Sequence, residues 1–268
     1  MTGRWPSVAL LLLAAVAVGS GCARKKAAGL TLAGSTSVQP FAEKWAETYR
    51  VAHPDFDVHV QGGGSTAGVV AADSGAAQIG MCSRDLKKDE AQRLRAIVVA
   101  RDAMVLIVHP GNPVTDISLE QVRRIYAGDV RRWSEIGGPD RRLTVITREE
   151  GSGTRGAFEE LVMEKRRIHA SALVQDSMGA VRQMVSADPA GIGYISLGIV
   201  DATVKSLRLD GIEGSEANVD LGTYPLVRPF LFVVKGEPIP VAQGFIDWIL
   251  GPEGQAVTRK EGLLPPGT

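Results

Sequence analysis

Three short stretches of this 268-residue chain carry the same polar chemistry: AGSTSVQP (Ala33–Pro40), QGGGSTAGV (Gln61–Val69) and EEGSGTRG (Glu149–Gly156). Each is rich in Gly, Ser and Thr, each follows a strand-like run, and each opens a helix-like run. A helix start leaves backbone N–H groups unpaired and carries a partial positive charge. Glycine lets that backbone come close to a ligand, and Ser or Thr hydroxyls add donors, so the chemistry on offer is anion binding. Ser and Thr are also the commonest helix caps, so one such loop alone signifies only capping. The three loops gain meaning from Arg148, four residues before Ser152, and from Arg84 in CSRDL, both at strand-to-turn junctions. A guanidinium fork suits a tetrahedral oxyanion.

Other chemistries fit these residues less well. GGGSTAGVV lacks the GK[ST] ending of a nucleotide P-loop, and GSGTRG lacks the G-x-S-x-G spacing of a nucleophile elbow. His53, His59, His109 and His169 form no pair with ligand spacing, so no metal is expected. No base is evident for Ser152, and no catalytic residue or cofactor is assigned.

The elements that must position the loops alternate between strand and helix. Leu30–Gly34 reads as a strand, and Val38, Phe41, Ala42, Trp45, Ala46 and Tyr49 then recur at helical spacing until Pro54. FDVHVQGG alternates as a strand does, STAGVVAADSG is a short helix, and AAQIGMCS is a third strand. KKDEAQRLR is expected as a solvated helix. RAIVVARDAMVLIVHP is expected as two strands parted by Arg101–Asp102. Ser118 caps a helix ending at Gly128, AGIGYISLG is a glycine-rich strand, and TYPLVRPFLFVVK is extended. The class is α/β with mixed sheets flanked by helices.

The formal net charge is zero and aromatic residues make up 5%, so no basic field or stacking surface points to nucleic acid. MTGRWPSVALLLLAAVAVGSGC has an early Arg4, an apolar run from Val8 to Val18 and a small-residue ending: an export signal over 1–21. GSGC resembles a bacterial lipoprotein cleavage site, with Cys22 the lipidated residue and 22–29 a tether, although Gly19 stands where an aliphatic residue is usual. Cys82, beside Ile79 and Met81, reads as a small buried residue.

Together LAGSTSVQPFAEKWAETY, VQGGGSTAGV, IGMCSRDL, TREEGSGTRGAFEEL and AGIGYISLG resemble, in the same order, the substrate-binding protein of the bacterial phosphate-specific ABC transporter. The resemblance implies a two-lobed type II periplasmic binding fold with two hinge crossings. Lobe one would comprise 30–108 and 229–268, and lobe two 109–228. It implies a phosphate ligand held by Thr36, Ser37, Ser65 and Ser83 or Arg84 from lobe one, and by Arg148, Ser152, Gly153 and Thr154 from lobe two. It further implies a monomer, lipid-anchored at the periplasm or cell surface, that delivers phosphate to permease subunits. In the family an aspartate follows the third strand and accepts the proton of hydrogen phosphate. Here Ser83 and Arg84 occupy that region, with Ser83, Glu150 or Asp85 as substitute acceptors. Sulfate or molybdate binding, a phosphate-sensing role and a serine-dependent phosphatase are the alternatives.

Overall fold

In the computed structural model, residues 1–2, 29–164 and 166–267 are described. Cys22 and almost all of the expected leader and tether lie outside the described residues. No described helix is long and apolar enough to cross a membrane.

The chain runs β1 (Leu30–Gly34), α1 (Gln39–Ala52), β2 (Val58–Gly62), α2 (Ser65–Ser74), β3 (Ile79–Cys82), α3 (Lys88–Ala91) and β4 (Arg95–Val108). It continues with β5 (Asp116–Ile117), α4 (Leu119–Ala127), β6 (Thr144–Arg148), α5 (Gly153–Phe158), β7 (Leu173–Gln175) and α6 (Met178–Ala187). Then follow β8 (Gly191–Ser196), β9 (Lys205–Ser206), β10 (Arg208–Leu209), α7 (Glu216–Asp220), β11 (Val227–Val234), α8 (Pro240–Leu250) and α9 (Pro252–Lys260).

One curled sheet has the order β2-β1-β3-β11-β4-β8-β6-β7, with β9 also on β4. Strands β1, β2 and β3 are mutually parallel, as are β6, β7 and β8, while β11 and β4 run antiparallel to their neighbours. The parallel groups therefore lie on either side of the β11–β4 pair. Their carboxyl ends are where such sheets bind ligands.

Two large apolar cores form, beside a smaller cluster of Val69, Ala72, Cys82, Leu94, Leu231 and Val233. The first gathers Phe41, Trp45 and Tyr49 of α1 with Phe230 and Phe232 of β11 and Phe245 of α8. Trp45 meets Phe232 edge-on at 6.0 Å and donates its indole N–H to Thr258 Oγ1 at 3.1 Å, so its one polar atom is satisfied. The second core holds Trp133, Tyr126, Phe158 and Tyr194, with Phe158 and Tyr194 stacked at 4.1 Å. Core membership changes on β4 between Ala100 and Ala103, and on β11 between Val227 and Phe230.

Local signals set the element ends. Pro40 stands in the first turn of α1, where its missing N–H costs nothing. Ser118 Oγ accepts the Gln121 N–H while Gln121 Oε1 accepts the Ser118 N–H, and Gly128 leaves α4 in the left-handed region at φ 84°.

Two expectations need correction. The segment 95–108 is one continuous strand of 14 residues, not two, because Asp102 is paired directly opposite Arg228 and needs no turn to reach water. KKDEAQRLR forms only the short α3, and its Glu90 is not solvated: at 6% exposure it is held by Arg84.

Candidate functional site

The loops that leave β1, β2, β3 and β6 converge. After β1, Ser35 Oγ accepts the N–H groups of Ser37 at 3.2 Å and Val38 at 3.3 Å, which turns the chain into α1. Its own hydroxyl donates to Ser83 Oγ at 3.0 Å. Ser65, the first residue of α2, accepts the Ser83 N–H on Oγ at 3.0 Å and lies 3.4 Å from Ser83 Oγ. Ser35, Ser65 and Ser83 thus form one buried hydroxyl cluster at the carboxyl ends of β1 and β3.

From the other side, β6 ends on Arg148 and the chain turns through Gly151 into α5, which Ser152 caps by accepting the Arg155 N–H at 3.3 Å. Hydrogen bonds join the two sides. Ser37 Oγ and Thr154 Oγ1 are 2.6 Å apart, and the Thr66 N–H donates to the Gly151 carbonyl at 3.1 Å. Gly153 is seated so closely that a Cβ there would lie 2.2 Å from Ser65 Oγ and 2.6 Å from Ser83 Oγ. Only glycine permits this approach.

Arg148 is the electrostatic centre, with a side chain 1% exposed. Its Nε and Nη2 donate to Glu149 Oε2 and Oε1, both at 2.9 Å, in a forked pair. Nη2 also donates to Thr36 Oγ1 at 2.9 Å and to the Asp176 carbonyl at 3.0 Å, and Nε reaches the Gln175 carbonyl at 3.2 Å. Nη1 is buried and has no partner among the described residues. A buried guanidinium nitrogen without an acceptor is costly, and an oxyanion is the acceptor that such a group fits. Behind it, Tyr194 bonds Thr147 Oγ1 at 2.7 Å and accepts the Arg148 N–H at 3.4 Å; burial pushes its phenol up to about 12.

Of the nine candidates, Thr36, Ser37, Ser65, Ser83, Arg148, Ser152, Gly153 and Thr154 lie in this one region. Arg84 stands at its border, beside Gly156, with its guanidinium turned to Glu90. Nη1 and Nη2 donate to the two Glu90 oxygens at 2.8 and 2.9 Å. This hydrogen bond holds the Glu90 carboxyl below its usual range and raises Arg84. Glu150 and Asp85 are exposed. Glu150, with Thr66, Arg84, Ser152 and Arg155, lines an outer groove of about 860 Å³ between the two sides.

Sequence reasoning singled out the loops but not Ser35 as the turn-former, nor Glu149 as the partner of Arg148. The signal for Glu149 was its place beside Arg148. Nothing local distinguishes Ser35 from Ser37 in GSTS.

Residues 18–253 match the model of the PBP superfamily domain. The phosphate-binding protein PstS of Bacillus subtilis is 32% identical over 247 residues, which cover 90% of this chain and 82% of the relative. The chain belongs to the phosphate-binding protein family. PstS of Pseudomonas aeruginosa is 30% identical over 267 residues, covering 88% of this chain and 82% of its own. Among solved structures, a chain described as a phosphate ABC transporter substrate-binding protein with bound phosphate, from Clostridium perfringens, superposes with a TM-score of 0.87 at 39% identity, covering 89% of this chain and 100% of that one. An ABC-type phosphate transport receptor from Vibrio cholerae gives 0.74 at 34% identity, covering 88% and 100%. The fold is thus the two-lobed one that these phosphate-binding neighbours share.

Proposed function

We propose that this protein binds inorganic phosphate as the substrate-binding component of an ABC transporter. The single observation that carries the reading is Arg148 Nη1: a buried, unpartnered cationic donor among hydroxyls supplied by two separate halves of the chain. Thr36, Ser37, Ser65 and Ser83 would face the ion from lobe one. Arg148, Ser152, Gly153 and Thr154 would face it from lobe two. Desolvating a doubly charged ion is costly, so nearly every lone pair needs a donor, and these groups supply them. An ion that touches both lobes binds the closed state better and shifts the population toward it. The Ser37–Thr154 and Thr66–Gly151 bonds are links of that closed state. The change of core membership at 100–103 and 227–230 supports lobe crossings at those points, the first of them earlier in the chain than the expected boundary at Val108.

In this reading Arg84 is a brace for the loop after β3, held by Glu90, and not a ligand. Binding without turnover is the proposed activity, supported by relatives and neighbours named as phosphate-binding and substrate-binding transport proteins. The exported, lipid-anchored location and the permease partner complete the proposal, supported by the leader-like N-terminus and Cys22. Calorimetry of phosphate-stripped protein tests it: saturable one-site binding of phosphate is expected, and its absence at millimolar phosphate would overturn the reading.

A further inference from the structure

A second guanidinium stands on the floor of the same cleft. Strand β11 runs antiparallel to β3 with Leu231 opposite Cys82, so its residues before Phe230 pass beyond the end of β3, where Ser83 sits. Arg228 is there, and it lies directly opposite Asp102 on β4. From the other lobe Met178, the first residue of α6, meets Arg228, and Ser196, the last residue of β8, meets its partner Asp102. Arg228 is thus flanked by the carboxyl ends of both parallel strand groups.

Its hydrogen bonding is incomplete. Nε and Nη2 both donate to Asp102 Oδ2, at 2.9 and 2.8 Å, and the Ser196 hydroxyl donates to Asp102 Oδ1. Nη2 has a second contact with Met178 Sδ at 3.7 Å, a weak acceptor. Nη1 is buried with no partner among the described residues, as is Arg148 Nη1. The side chain is 1% exposed. Burial lowers the Arg228 guanidinium below its ordinary value, Asp102 offsets part of that, and the nearby Arg148 charge lowers it further. Each of the two guanidinium groups keeps one idle buried donor, and an anion held by both would satisfy them.

We propose that Arg228 is a second cationic ligand of the oxyanion, its Nη1 donating from the floor of the cleft while Arg148 donates from lobe two. The proposal rests on the phosphate-binding reading above. Arg228 sits where β11 crosses between the lobes, so a contact there ties the ion to the crossing itself. Asp102 fixes the guanidinium in place and balances its charge.

Phosphate calorimetry on the wild type and on the paired variant Asp102→Asn/Arg228→Gln separates the two levels. The pair is replaced together so that no buried charge is left alone. The expected result is wild-type binding and a variant weaker by about 10- to 150-fold, the scale of one lost charged hydrogen bond. Wild-type binding with an unaffected variant would overturn the proposal alone. Absence of binding by the wild type would overturn the functional reading as well. A crystal structure of the wild type with phosphate decides the matter even should the variant not fold: Nη1 within about 3.2 Å of a phosphate oxygen is expected, and a gap beyond about 4 Å would refute it.

Discussion

Arg148→Ala removes five hydrogen bonds to protein atoms and the one unpartnered donor, and these losses act on different quantities. Nη1 is the donor that the proposed function assigns to the ligand. A hydrogen bond to a charged group is worth about 1.5–3 kcal/mol, so its loss alone weakens phosphate binding by about 10- to 150-fold. Glu149 adds to this. Its carboxylate is neutralised by the fork, and without Arg148 a bare negative charge would stand beside the incoming anion. The double variant Arg148→Ala/Glu149→Gln is therefore expected to bind more tightly than Arg148→Ala, although more weakly than the wild type. Two of the lost bonds go to the carbonyls of Gln175 and Asp176, so some loss of thermal stability without ligand is also expected. Calorimetry on stripped protein, with the phosphate-free melting midpoint measured alongside, separates the effects. Affinity of Arg148→Ala within threefold of wild type would exclude Arg148 Nη1 as a phosphate ligand. Equal affinity of the single and double variants would show that the Glu149 charge does not act on the bound anion.

Gly153→Ala should obstruct closure, because its Cβ would overlap Ser65 and Ser83 from the other lobe; small-angle scattering with saturating phosphate should report an open form while the phosphate-free melting midpoint stays put, and a normally closed variant would contradict the packing. Ser83→Asp would place a carboxylate among Ser35 and Ser65, and competition calorimetry should show phosphate gaining on sulfate by tenfold or more; an unchanged ratio would mean that Ser83 does not face the ion's proton. Glu90→Gln should destabilise the protein by about 1–3 kcal/mol at pH 7, since Arg84 would lose its counter-charge. Arg84 holds the Glu90 carboxyl below its ordinary 4.5, so this stabilisation is full above that value and fades as pH falls through the lowered one. Melting curves of the two proteins should therefore converge in acid, and a gap constant from pH 7 to pH 3 would show that the pair is not its source.

The loops were legible because their signal is local: a strand, then Gly and Ser or Thr, then an amphipathic helix. Trp45, Phe41 and Tyr49 announced the buried face of α1 by spacing alone, and all three are buried. What was not legible depends on partners far along the chain. Asp102 looked like a strand break because a charged residue in an apolar run normally seeks water; Arg228, 126 residues later, removes that need. Glu90 looked like part of a solvated helix for the same reason, until Arg84 folds back on it. Arg84 shows the same dependence: a guanidinium at a strand end can face a ligand or a carboxylate, and in the fold it is turned to Glu90. Ser35 and Ser37 are both buried and differ in their partners: Ser35 Oγ takes the Ser37 and Val38 N–H groups and donates to Ser83, whereas Ser37 Oγ meets Thr154, and all of these partners but the nearest two are far along the chain.

Groups from both lobes are proposed to enclose one phosphate ion around the Arg148 guanidinium, and a crystal structure of the protein grown with phosphate would reveal it. Density for a single tetrahedral ion within about 3.2 Å of Arg148 Nη1, Ser37, Ser65 and Thr154 is expected. A phosphate bound elsewhere, with Arg148 Nη1 satisfied by a protein atom or by water alone, would contradict it.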